Sequence, residues 1–159
     1  MTDFDEIYKR YSPQIFRVCM GYTNDPDHAK DLVQETFFSV WRNLSSFRNE
    51  SHISTWIFRI ATNHCLRAME VAKRMPLDEL PEQLAEPETV SQEGKLALLY
   101  KCIATLPETD RIIISLELED VPQNEIAAIV GLSEVNTRVK IHRIKEKLSK
   151  KIKLYGQFE

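Results

Sequence analysis

Apolar residues in this chain recur at helical intervals. Phe4, Ile7, Tyr8 and Tyr11 stand at i, i+3, i+4, i+7, the stripe of an amphipathic helix, with no alternation of the strand period. Ser12-Pro13 predicts a restart, with Ser as cap and Pro at the first helical position. Ile15, Phe16 and Cys19 continue an apolar face until Gly21–Asn24 closes the segment. Asp25-Pro26-Asp27 is a strong helix start, with negative charge at the positive end of the peptide dipoles. That helix is predicted to reach Asn43 and to bury Val33, Phe37, Val40, Trp41 and Leu44. Leu44–His52 reads as a polar loop. A helix over Ile53–Arg74 follows, burying Ile53, Ile57, Ile60, Ala61, His64 and Ala68. Met75–Glu93 breaks the pattern. Pro76, Pro81 and Pro87 recur there among six carboxylates, which predicts an acidic linker with one short helical turn around Leu80.

Beyond the linker, Leu96, Leu99, Tyr100, Ile103 and Leu106 form one helix face. Pro107-Glu108 starts another helix, with Ile112, Ile113 and Leu116 as core and Asp120 near its end. A short helix then has Pro122 in its first turn and Gly131 just past its end. Ser133 is placed to cap a last helix, on which Thr137, Ile141, Ile144 and Leu148 share one narrow face. The reading is an all-α chain of two small helical domains: an N-terminal bundle over 1–74 and a C-terminal helix-turn-helix domain over 96–159. An acidic linker over 75–95 joins them.

Charge refines this picture. The net charge of −3 over 159 residues argues against a strong free-standing nucleic-acid binder. The cations are concentrated, however: Thr137–Lys153 holds eight Lys/Arg against the single Glu146. No apolar run is long enough for a membrane span, and the first residues lack a secretory pattern. Cys19, Cys65 and Cys102 lie far apart and form no CxxC pair, which suits reduced thiols in a cytoplasm.

Three faces carry candidate chemistry. On the last helix, Val135, Asn136, Val139, Lys140, Arg143, Lys147 and Lys150 lie away from the apolar stripe. Such a face suits a major groove: Asn pairs with adenine, Arg and Lys with guanine, and a Val methyl meets a thymine methyl. On the second helix, Asp31, Gln34, Glu35 and Phe38 share an outer face. An aromatic ring among carboxylates there suits a basic, partly apolar protein partner. On the third, Trp56, Arg59, Asn63 and Arg67 alternate a stacking ring with cations and an amide, a surface for unpaired bases. Phe47, Arg48 and Asn49 sit at the tip of the preceding loop.

Together these pieces resemble bacterial RNA polymerase sigma factors of the extracytoplasmic-function type, in the sigma-70 family. DLVQETFFSVWRNL at Asp31–Leu44 is similar to the family's region 2.2, and STWIFRIATNHCL at Ser54–Leu66 to regions 2.3 and 2.4. LPETDRIIISLELED at Leu106–Asp120, followed by NEIAAIVGLSEVNTRVKIHRIKEKL, is similar to region 4. The resemblance implies a transcription initiation factor. Asp31, Gln34, Glu35 and Phe38 would dock on the clamp helices of core RNA polymerase. Phe47, Arg48, Asn49, Trp56, Arg59, Asn63 and Arg67 would open and hold the single-stranded −10 element. Ser133, Asn136, Arg138, Val139, Lys140, Arg143 and Lys147 would read the double-stranded −35 element. The linker would thread through the polymerase, and an anti-sigma factor joins the implied partners.

Two departures stand out. Leu66-Arg67-Ala68-Met69-Glu70 occupies a place where the family often has an Asp followed by an Arg cluster, so phosphate contacts there are expected to be weaker or differently placed. Val135–Lys140 reads VNTRVK where the family commonly has GTVKSR, so Asn136 and Val139 alter the expected base preference.

Two rivals remain in view. A stand-alone helix-turn-helix repressor or activator explains residues 107–153 but neither the Phe38 face nor the Trp56 face. An enzyme would need a constellation that the sequence does not offer. His28, Asp31 and Glu35 fall at i, i+3, i+7 but lack matching ligand pairs for a bundle metal site. His64 and Cys65 are adjacent and point apart, and no Gly-rich phosphate loop is present. Neither a cofactor nor intrinsic catalysis is expected.

Overall fold

The computed structural model describes residues 3–74 and 92–156. The expected linker, with its turn around Leu80, lies almost wholly outside the described residues. Seven α-helices and one 3-10 turn make up the described chain, and no strand occurs among these residues. They are α1 (Phe4–Thr23), α2 (Pro26–Asn43), α3 (Ile53–Arg74), α4 (Gln92–Ile103), α5 (Glu108–Leu118), α6 (Gln123–Val130) and α7 (Glu134–Gly156). The turn, Leu44–Ser46, continues directly from α2. The chain is therefore all-α.

Local chemistry explains the boundaries. Asp3 accepts from the Asp5 N–H and caps α1. Asp25 accepts from the Asp27 and His28 N–H groups, with Pro26 as the first residue of α2. The α1–α2 turn closes on Asn24 in the left-handed region (φ 50°), a conformation that asparagine tolerates. Gly131 ends α6 at φ 76°, and its N–H donates to the Ala127 carbonyl at 2.9 Å.

One expectation fails in α1. Pro13 lies inside a continuous helix instead of restarting it. Pro13 and Lys9 are both exposed. The Lys9 carbonyl, which loses its i+4 donor, can therefore turn to water, and this lessens the usual cost of an interior proline.

In the first half, α1 and α3 pack on α2 around Ile15, Val18, Leu32, Phe37, Val40 and Ile57, all buried. Burying side chains of this size contributes about 1.5–3 kcal/mol each. Five expected core positions differ. Trp41 is 61% exposed, because Val33, Phe37 and Val40 already fill the buried side of α2. On α3, Phe58, Thr62, Cys65 and Met69 are buried, whereas Ile53, Ile60, His64 and Ala68 are only half so. The buried stripe is thus rotated slightly from the one the sequence suggested.

In the second half, α5 packs against α6 and α7, and α4 against α7, around Ile103, Ile113, Leu116, Ile126 and Ile144. Helix α4 starts at Gln92, earlier than expected, and Leu96 is 49% exposed instead of core. The two halves touch: α1 lies along α5, and α3 meets α6. The buried apolar side chains form one continuous cluster through both.

Candidate nucleic-acid and protein interfaces

On α2, Asp31, Gln34, Glu35 and Phe38 are all exposed, with Phe38 at 59%. Trp41 joins them. Its ring centroid lies 6.3 Å from that of Phe38, and the Arg42 guanidinium sits 5.7 Å from the Phe38 centroid. Sequence reasoning assigned Trp41 to the core, yet the signal was present: Gln34, Phe38 and Trp41 fall at i, i+4, i+7.

Behind this face, His64 of α3 braces α2. Its Nε2 lies 2.8 Å from Ser39 Oγ, and its Nδ1 lies 3.7 Å from a Glu35 carboxylate oxygen. Burial lowers the His64 pKa against the opposing pull of Glu35, with Arg67 adding to the lowering. The neutral ring can then accept the Ser39 O–H at Nε2 and keep its proton on the Nδ1 that faces Glu35. Ser39, His64 and Glu35 have the identities of a hydrolytic triad. Ser39, however, lies in mid-helix, where backbone N–H groups serve the helix ladder and not an oxyanion. The cluster fixes the orientation of α2 on α3.

On α3, Arg59, Asn63 and Arg67 are exposed, as are Arg48 and Asn49 in the preceding loop. Asn49 adopts φ 57°, which turns the loop sharply before α3. Phe47 folds back from the loop onto Trp56, with ring centroids 4.9 Å apart and planes 34° from parallel. Both rings are half-buried. Trp56 thus has one edge on the core and a stacking partner already in place. The cations and the amide continue outward from that pair along one helix face.

On α7, Thr137, Ile141, Ile144 and Leu148 are buried and bind the helix to the body. The Ser133 hydroxyl accepts from the Asn136 N–H at 3.1 Å, and the Thr137 hydroxyl donates to the Ser133 carbonyl at 2.9 Å. These bonds fix the first turn, where Val135, Asn136, Arg138 and Val139 stand exposed. Arg143 and Lys147 are exposed one and two turns on. Lys140 is half-buried and lies 3.6 Å from Asp110 of α5, so it is partly held by its own domain. His142 leans on Glu146 at 3.4 Å.

A basic helix held by one apolar stripe, an aromatic pair continued by cations, and an exposed acidic–aromatic face coexist on a single all-helical chain. This defines a DNA-binding protein of two helical modules. Comparison with known proteins agrees. The sequence profile of Sigma-70 region 2 matches residues 7–75, and that of Sigma-70, region 4 matches residues 96–148. The sigma-E factors of Salmonella typhimurium and Escherichia coli K12, both named ECF RNA polymerase sigma factors, are each 28% identical over 94% of this chain and 86% of their own. The SigE sigma factor of Mycolicibacterium smegmatis is 27% identical over 93% of this chain and 61% of its own. Among solved structures, a sigma factor in complex with the anti-sigma factor NepR from Bartonella quintana superposes with a TM-score of 0.78. It covers 96% of this chain and 98% of that one at 21% identity, a likeness of fold. CnrH in complex with the cytosolic domain of CnrY superposes at 0.69 and 22% identity, covering 92% of this chain and 84% of that one. The chain belongs to the sigma-70 family of RNA polymerase sigma factors, in its extracytoplasmic-function type.

Among the described residues no helix is long and apolar enough to cross a membrane.

Proposed function

We propose that the chain directs core RNA polymerase to promoters through a division of labour between its halves. Residues 1–74 form the module that binds polymerase and opens the −10 element, residues 75–95 link, and residues 96–159 read the −35 element. Asp31, Gln34, Glu35 and Phe38, with Trp41 added, dock on the polymerase. Their exposed carboxylates meet basic groups and the ring pair enters an apolar groove. Trp56 and Phe47 receive an unstacked base, while Arg59, Asn63, Arg67 and Arg48 hold the phosphates and Asn49 shapes the loop. Unstacking costs a few kcal/mol, which ring stacking and polar contacts offset. Asn136, Val139, Arg138 and Arg143 reach base edges in the duplex, with Ser133, Lys140 and Lys147 on the backbone.

Chemistry stays with the polymerase, and the chain acts beside it in the cytoplasm without a cofactor. An anti-sigma factor is a third partner, by likeness to the Bartonella quintana sigma factor in complex with the anti-sigma factor NepR. The observation that carries this reading is the coexistence of the Phe47–Trp56 pair on α3 with the exposed cationic face of α7. A stand-alone repressor uses the second and leaves the first without a task.

Reconstitution with core polymerase and run-off transcription on genomic fragments is the test. Discrete transcripts that depend on this chain are expected. The free chain should bind duplex DNA weakly, with log K falling against log salt at a slope of roughly −3.5 to −5.5 for about four to six phosphate contacts. Tight, specific duplex binding without polymerase, and no transcript with it, would overturn the proposal in favour of a repressor.

A further inference from the structure

Helix α5 answers the cations of α7 with two carboxylates. Asp110, in the first turn of α5, lies 3.6 Å from Lys140 Nζ. Glu117, two turns on along the same face, accepts from Lys145 Nζ at 3.0 Å. The acid side chains are only 14% and 17% exposed, whereas the lysine side chains are 42% and 55% exposed. The carboxylates are therefore seated in the body, and each reaches a lysine that remains open to solvent. Lys140 and Lys145 stand on opposite shoulders of the buried stripe of Thr137, Ile141, Ile144 and Leu148. By contrast, Arg138, Arg143 and Lys147 are exposed and make no ion pair among the described residues.

When the outer face of a helix enters a major groove, its shoulders face the phosphates on the two walls. A lysine on a shoulder adds affinity for any sequence, because phosphates carry no base information. A carboxylate within 4 Å shares that charge and draws the ammonium inward. Ion pairs with one partner so exposed contribute little to stability, and the apolar stripe already fixes α7 on the body. The pairs therefore change the charge that α7 offers more than they change its hold on the fold.

We infer that Asp110 and Glu117 weaken the phosphate contacts of Lys140 and Lys145, and so set the strength of the sequence-independent grip of α7 on duplex DNA. This rests on the reading of α7 as the duplex reader. Neither carboxylate belongs to the base-reading face; both act through the lysines. Arg138, Arg143 and Lys147 keep their full charge, so the base contacts carry a larger share of recognition.

The test uses the full chain and anisotropy titrations of a labelled mixed-sequence duplex of about 20 base pairs, from about 25 to 150 mM salt. Asp110→Asn and Glu117→Gln keep the shape of each side chain and remove its charge. Each should raise affinity for the probe about fivefold near 150 mM salt and steepen the slope of log K against log salt by up to about 0.9, the value for one phosphate contact. Lys140→Ala should abolish the gain from Asp110→Asn, and Lys145→Ala that from Glu117→Gln. Asp110→Glu, which keeps the charge, should bind as wild type does. Thermal melting of each variant runs alongside. Unchanged affinity and slope in both neutral variants, whether or not melting shifts, would overturn the inference and leave the pairs as structural contacts. Equal gains in the lysine-to-alanine backgrounds would overturn it too, by showing a general effect of net charge. A failure of the promoter reading is visible separately, as absent run-off transcription by wild type with core polymerase, whatever the duplex titrations give.

Discussion

Replacing Phe38 or Trp41 by alanine tests whether the exposed ring pair on α2 is a docking element. The two rings are 59% and 61% exposed, so neither contributes much to the fold as it stands. Seating one of them in an apolar groove would remove roughly 100 Å² of apolar surface from water, worth about 2.5 kcal/mol, or roughly seventyfold in affinity. Each single variant should therefore lose about that much affinity for core polymerase. The double variant should lose less than the sum, because the rings touch each other and share one pocket. The assay is an anisotropy titration of labelled chain with core polymerase, with thermal melting of each variant alongside. Val71→Ala, at an exposed apolar position elsewhere on α3, is the control and should leave binding unchanged. A loss below about threefold in both Phe38→Ala and Trp41→Ala, with unaltered melting, would refute the docking role. Equal losses in the Val71 control would show that exposed apolar area in general, and not this pair, drives association.

Three further outcomes follow from the same geometry. Trp56→Ala should leave −35 duplex binding intact but reduce permanganate reactivity of −10 thymines about tenfold, since one ring–base stack is worth about 1–3 kcal/mol; normal bubble formation would contradict it. Gly131→Ala should destabilise the chain by about 1–2 kcal/mol in urea titration. The reason is backbone conformation alone, since φ is 76° and a Cβ there would meet nothing within 4 Å; an unshifted midpoint would count against it. His64, with its folded-state pKa below the ordinary 6.5, should make stability fall as pH drops through that value. Above it, folded and unfolded rings are both neutral. Below it the unfolded ring takes its proton first, and the loss levels off once the folded ring also titrates. His64→Gln should flatten that part of the pH–stability curve, and an unchanged slope would rule His64 out as its source.

How far the sequence discloses this protein depends on which forces its residues report. Helix limits set by local chemistry were legible. The Asp25-Pro26 start, the Gly131 stop and the Ser133 cap each act within four residues, and the structure has them in those roles. The buried stripe of α7 was legible too, because Thr137, Ile141, Ile144 and Leu148 leave no rival stripe on a helix otherwise rich in charge. Trp41 was not legible. Periodicity gives the angle of a residue on its helix but not how wide the partner surface is. Where α1 and α3 stop covering α2, an indole remains outside. Pro13 misled for the opposite reason: its local signal is strong, yet a helix tolerates it where the orphaned carbonyl belongs to an exposed residue.

The contact between the halves marks a further limit, and a physical one. Gly21 in isolation reads as a segment terminator, and Arg17 and Glu119 read as solvated charges 102 positions apart. Only the fold brings Gly21 under Ser115 and closes the guanidinium on a nearly buried carboxylate. Each half must keep its own apolar stripe to fold, and that requirement is written as periodicity. To the apolar cluster that runs through both halves, the contact between them adds one missing Cβ and two charges, none of which carries a period.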